Sequence, residues 1–121
     1  MENDFQKKKS LVQKFGFAFR GLIIPYQTEI SIRIQTTIAL AAVAFGFYLH
    51  ISMNDWLWII VASSLVLITE ILNTAIEKLV DLVSPGYHEL AGKVKDIAAG
   101  AVFLAAILSL IIGAMVFIPY L

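Results

Sequence analysis

Four polar side chains interrupt a long apolar stretch of this sequence: Glu70, Asn73, Glu77 and Asp81. At about 100° per residue of α-helix they fall within an arc of roughly 80°, so a helix running through them carries a single polar stripe. An ionisable group inside an apolar helix is costly unless it faces a cavity, an opposite charge or a metal. Glu70 lies furthest into the stretch, so it requires either a chemical role or a packing partner such as a Lys or a neighbouring helix. Glu77 and Asp81 are nearer the charged end and require less.

A second cluster follows, Gly86-Tyr87-His88-Glu89 and then Lys93, Lys95 and Asp96. Gly92-Lys93 resembles the end of a phosphate-binding P-loop, but Tyr87 stands where that motif needs Gly and Val94 where it needs Ser or Thr, so a Walker site is rejected. His88 has no second His at ligand spacing and the chain has no Cys, which argues against zinc. A lone His is more often a cap or an interfacial side chain. Carboxylates beside lysines suit a harder ion, because Mg²⁺ takes one or two carboxylates together with the oxygens of a bound phosphate. That donor set points towards nucleotide chemistry.

The elements that must position these residues are helices in a membrane. Of 121 residues 60% are hydrophobic and 15% charged, far from the balance of an ordinary soluble domain. The uncharged stretch 34–51 is long enough to cross a hydrocarbon core of about 30 Å. Residues 50–55 carry no Lys or Arg and read as a turn on the outer side, with Asn54 and Asp55 starting the next helix. A second span, 56–83, continues through the polar stripe until Ser84-Pro85-Gly86 ends it. The third, 97–118, contains Ala98, Ala99, Gly100 and Ala101, small residues that permit close helix contact. Ahead of these, residues 5–24 alternate Lys14 and Arg20 with Phe15, Phe17, Phe19, Leu22 and Ile23, as in a helix lying in the interface. The expected fold is an all-α membrane protein, one domain over residues 1–121, with three transmembrane helices and an N-terminal amphipathic interfacial helix.

Charge orients it. Lys7, Lys8, Lys9, Lys14, Arg20 and Arg33 precede the first span, and Lys78, Lys93 and Lys95 fall together later, so the N-terminus and the second cluster are expected in the cytoplasm and the C-terminus outside. The basic start is too long for a signal peptide and no clear cleavage pattern follows the first apolar core. A formal net charge of zero argues against nucleic acid binding, which needs a basic surface to neutralise phosphates, so no nucleic acid partner is expected. On the residues alone, a small proton-coupled transporter and a non-catalytic helical packing protein stay open beside an enzyme.

The motif Glu70-Ile71-Leu72-Asn73-Thr74-Ala75-Ile76-Glu77, then Val80-Asp81, then Tyr87-His88-Glu89-Leu90-Ala91 with Lys95-Asp96, closely resembles the signature of the prokaryotic diacylglycerol kinase family, which includes the undecaprenol kinases. Length, the three spans, the basic amphipathic start and Glu29 before the first span correspond as well. The resemblance implies a homotrimer in the bacterial inner membrane, with active sites shared between subunits. It would move the γ-phosphoryl of ATP to the primary hydroxyl of a membrane lipid alcohol, diacylglycerol or undecaprenol. Carried over by position, Glu70 matches the general base, and Glu29 and Glu77 match the carboxylates that hold Mg²⁺ on the ATP phosphates. Asn73 matches a residue orienting the base or the metal site. Lys95 and Asp96, with Gly86, Tyr87 and His88, match the nucleotide-contacting segment, Lys95 offsetting charge on the transferred group. Phe17, also placed at the nucleotide, stands where diacylglycerol-specific members carry Tyr. Ser10 stands where they carry Arg, and Gln35 where they carry Glu. The run 98–102 and the ending 113–119 are more similar to the undecaprenol kinases.

Overall fold

The structure, a computed structural model, describes residues 10–121. Residues 5–9 of the expected interfacial helix, with Lys7, Lys8 and Lys9, lie outside the described residues. Four α-helices follow in order: α1 (Leu11–Thr28), α2 (Ile30–Leu49), α3 (Met53–Val83) and α4 (Glu89–Phe117), with a closing 3₁₀ turn at Ile118–Tyr120. Three of them, α2, α3 and the run Glu89–Tyr120, are long and apolar enough to cross a membrane. No strand occurs among the described residues.

Helix boundaries follow local chemistry rather than hydropathy. α1 starts on a capping box, the Gln13 N–H donating to Ser10 Oγ at 3.2 Å and the Ser10 N–H to Gln13 Oε1 at 2.9 Å. It runs past residue 24, through the buried Pro25, to Thr28. α2 begins at Ile30, four residues before the uncharged stretch, because Glu29 alone is extended and a charge such as Arg33 does not stop a helix at the membrane surface. α3 starts at Met53, one residue before Asn54, with Ser52 as its cap, whose Oγ accepts from the Asp55 N–H at 3.2 Å. α4 begins at Glu89 instead of 97, since Lys93, Lys95 and Asp96 are helical but outside any apolar run. Its N-cap is His88, whose Nδ1 accepts from the Leu90 N–H at 3.1 Å.

α3 packs most extensively on α4, less on α2, and α1 touches both α2 and α3. The buried line of α3 is Ile59, Ala62, Val66, Glu70 and Thr74, at spacings of three and four, and it faces Ala98, Val102, Ala105 and Val116 of α4. Of the small-residue run only Ala98 is buried within the chain, while Ala99, Gly100 and Ala101 are exposed on it. Hydroxyls along the spans bond back into their own helices, Thr69 to the Val66 carbonyl, Thr74 to that of Glu70 and Ser109 to that of Ala106. That is how polar groups are satisfied without water.

The α2–α3 turn is the tightest part of the bundle. His50 closes α2 in the left-handed region at φ 54°, and its Nδ1 lies 2.8 Å from the Phe47 carbonyl. Tyr120 fastens the C-terminal turn to it, donating to Asp55 Oδ2 at 2.5 Å and accepting from the Ser52 N–H at 3.0 Å. Inside the turn, a Cβ on Gly46 would lie 2.8 Å from Cη2 of Trp56 and 3.1 Å from Cδ1 of Ile51. Overpacking costs about 1–3 kcal/mol, against about 1 kcal/mol gained by replacing a helical glycine with alanine. Gly46→Ala should therefore be less stable by up to about 2 kcal/mol, read as a lower unfolding midpoint in detergent.

Candidate active site

The joint between α1 and α2 sets the first side of the site. Glu29 ends one helix and begins the next with φ −121° and ψ 123°, its N–H donating to the Pro25 carbonyl at 2.8 Å. Arg33 locks this joint, donating from Nε to the Tyr26 carbonyl at 2.6 Å and from Nη2 to that of Gln27 at 3.1 Å. A cation on the last carbonyls of a helix satisfies acceptors the helix itself leaves open. Tyr26 Oη and Thr36 Oγ1, 2.7 Å apart, tie α1 to α2 a second time. The Glu29 carboxylate is not spent on this work, since it makes no capping hydrogen bond.

α3 supplies the opposite side. Glu70 is buried, with 5% of its surface exposed, and accepts a hydrogen bond from Ser31 Oγ at 3.2 Å on Oε2. No Lys or Arg among the described residues pairs with it; of the two packing partners expected, a Lys or a neighbouring helix, it is the neighbouring helix α2 that meets it, through Ser31. The charges that act on Glu70 are those of Glu77 and Glu29. Asn73 donates from Nδ2 to Glu77 Oε1 at 3.2 Å, and its own Oδ1 is buried without a partner. Asn73 thus orients Glu77, and not Glu70, within the chain.

The turn between α3 and α4 forms an adjoining hollow of about 150 Å³, lined among others by Asp81, Gly86, Tyr87, His88 and Lys95. Lys95 Nζ lies 2.6 Å from Asp81 Oδ1 across this turn and also within the field of Glu77. Asp96 follows it on the exposed side of α4. Phe17 stands on α1 with the Arg20 guanidinium 5.6 Å above its ring. The structure therefore brings Glu29, Glu70, Asn73 and Glu77 to one place, and Gly86, Tyr87, His88 and Lys95 to the next. Ser31 and Arg33 were not singled out as site residues by the sequence. Arg33 read only as a basic flank, and Ser31 gave no signal.

Depth separates the roles these groups can take. Counting about 1.5 Å per residue from Leu49 and Met53, Ser31 lies about 27 Å along α2 and Glu70 about 26 Å along α3, while Glu77 lies about 36 Å along. Against a hydrocarbon core of about 30 Å, Glu70 is just inside the apolar layer and Glu77 just beyond it. Against the carboxylates of Glu29, Glu70, Glu77 and Asp81 stand Lys95 and, at the α1–α2 joint, Arg33, which leaves an excess of negative charge that an anionic ligand would meet only with a cation between. No three His, Asp or Glu side chains among the described residues converge as a self-contained metal site. Two carboxylates, Glu29 uncommitted and Glu77 held by Asn73, fit a magnesium ion completed by phosphate oxygens.

The chain is similar to known proteins along most of its length. The family model for prokaryotic diacylglycerol kinase matches residues 16–117. A diacylglycerol kinase of Synechocystis is 39% identical over 98% of this chain and 68% of its own length. The undecaprenol kinase of Bacillus subtilis is 38% identical over 90% of this chain and 89% of its own. The diacylglycerol kinase of Escherichia coli K12 is 32% identical over 92% of this chain and 91% of its own. With three spanning helices, bacterial relatives along nearly its whole length and a family match through every element from α1 to α4, this multi-pass bacterial membrane protein belongs to the prokaryotic diacylglycerol kinase family.

Proposed function

We propose that the protein transfers the γ-phosphoryl of ATP to the primary hydroxyl of a membrane lipid alcohol, with Glu70 as general base. The observation that carries this reading is a buried carboxylate with no cation paired to it among the described residues, near the edge of the apolar layer and beside two further carboxylates. As the lipid oxygen bonds to the γ-phosphorus, Glu70 takes the hydroxyl proton, and the bond from that phosphorus to the bridging oxygen breaks to release ADP. Glu29 and Glu77 would hold Mg²⁺, which when bound neutralises phosphate charge and aligns the nucleotide. Gly86, Tyr87 and His88 line the hollow that would take the nucleotide, Asp96 would contact it from α4, and Lys95 offsets charge gathering on the transferred group. Phe17, on α1, would contact the nucleotide.

The polar end of the bundle faces the cytoplasm, where ATP is found, and the Tyr120 end faces outward. The working unit is a homotrimer with sites at subunit boundaries. The small residues Ala99, Gly100 and Ala101, exposed on α4 in one chain, support it, because they let a second helix approach closely. For the lipid, undecaprenol is favoured. Gln35 and Phe17 remove two polar handles with which an ester headgroup could be recognised, and Gln35 lines an apolar hollow with Ile38, Ile59 and Val66.

The test is magnesium-dependent ATP consumption by the purified protein with each lipid at equal surface fraction in one bilayer. Undecaprenol should show a kcat/KM at least equal to that of diacylglycerol. A tenfold preference for diacylglycerol would overturn the substrate and leave the kinase standing. Consumption that no lipid alcohol stimulates would overturn both.

A further inference from the structure

Ser31 is the only side chain among the described residues that donates a hydrogen bond to Glu70, and the contact joins positions 39 apart in sequence. It stands in the first turn of α2, one position past Ile30 and inside the N-cap Glu29, so its hydroxyl is not the cap of its own helix. Here its proton is directed across to α3 instead. The N-cap residue of α2, Glu29, supplies no side-chain cap, so the unshared N–H groups and positive end of that helix begin beside the same carboxylate.

A glutamate turns freely about its last torsion, and a base acts only when one oxygen is aimed at the proton it takes. With Oε2 tethered to Ser31, that torsion is fixed, and Oε1 accepts no hydrogen bond from the described residues. We infer that Ser31 is a positioning residue, whose hydroxyl holds Glu70 Oε2 so that Oε1 is presented to the lipid hydroxyl. Ser31 keeps its own proton throughout, and the proton of the lipid hydroxyl passes to Oε1. The inference rests on the proposal that Glu70 is the base, and it adds a residue from a different helix to that site. It also makes the α1–α2 joint, locked by Arg33, part of the machinery that aims the base.

The test compares Ser31→Ala, Ser31→Thr and Glu70→Gln in the full-length protein, with kcat and both KM values measured for magnesium ATP and the lipid alcohol in one bilayer. Loss of one hydrogen bond to a charged group should lower kcat of Ser31→Ala about tenfold, with both KM values within about twofold. Ser31→Thr keeps the hydroxyl and should return kcat to within about threefold of the original. A loss shared equally by the Ala and Thr variants, a loss carried by KM, or no loss in Ser31→Ala overturns the inference. Glu70→Gln separates the two claims: if it turns over normally the base itself is wrong, whereas a dead Glu70→Gln beside a normal Ser31→Ala removes Ser31 alone.

Discussion

Glu70→Gln is expected to lower turnover by a factor of about 100 to 10,000, the range that a positioned general base supplies, while nucleotide binding stays measurable. Glutamine keeps the shape of the side chain, and its amide oxygen still accepts from Ser31, so the packing of α2 on α3 survives the change. What it loses is the capacity to take a proton. Nucleotide titration and lipid phosphorylation on the same purified sample decide the matter, because a collapsed site would lose both. Normal phosphorylation by this variant would remove Glu70 from the role.

Glu29→Gln and Glu77→Gln should fail differently. Partners that merely orient a metal ligand are worth about tenfold to a hundredfold in affinity, so losing a ligand should weaken the magnesium nucleotide complex by about a hundredfold or more. Binding, not the chemical step, carries the defect, and raised magnesium should recover part of it. Asn73→Ala touches the same site one bond further out, through its 3.2 Å hydrogen bond to Glu77, and should cost less than Glu77→Gln. Titrating nucleotide at several fixed magnesium concentrations distinguishes the three. If Glu29→Gln and Glu77→Gln bind magnesium nucleotide as the parent does, the two carboxylates do not hold the metal.

Much of this architecture is legible before any coordinates. An uncharged run of membrane length is a property of composition, and Ser84-Pro85-Gly86 stops a helix by backbone chemistry alone, so the spans and the α3 terminus are read directly. The polar stripe on α3 is likewise fixed by helical periodicity. Starts are harder. Hydropathy reports where lipid begins, whereas a helix begins where its first N–H groups find a cap, and Ser52 and His88 supply those caps away from the apolar boundary. Asn73 stands three residues after Glu70 and four before Glu77, both within reach on a helix, and only the side-chain rotamer selects Glu77. Ser31 and Glu70, or Asp81 and Lys95, meet only once two helices are packed, and nothing in either sequence neighbourhood announces the pairing.

α2 has 20 residues, about 30 Å of helix, and so fits the hydrocarbon core with little to spare, while the 31 residues of α3 extend about 46 Å and protrude. Both are pinned together at the Gly46–Trp56 turn. In a thicker or thinner bilayer a matched helix answers by tilting, and an overlong one answers to a different degree. Pinned at one end, the two should pivot against each other, with the displacement expected at the other end, where Ser31 meets Glu70. On the role proposed for Glu70, turnover should then depend on the acyl-chain length of the host membrane, separately from the identity of the lipid being phosphorylated.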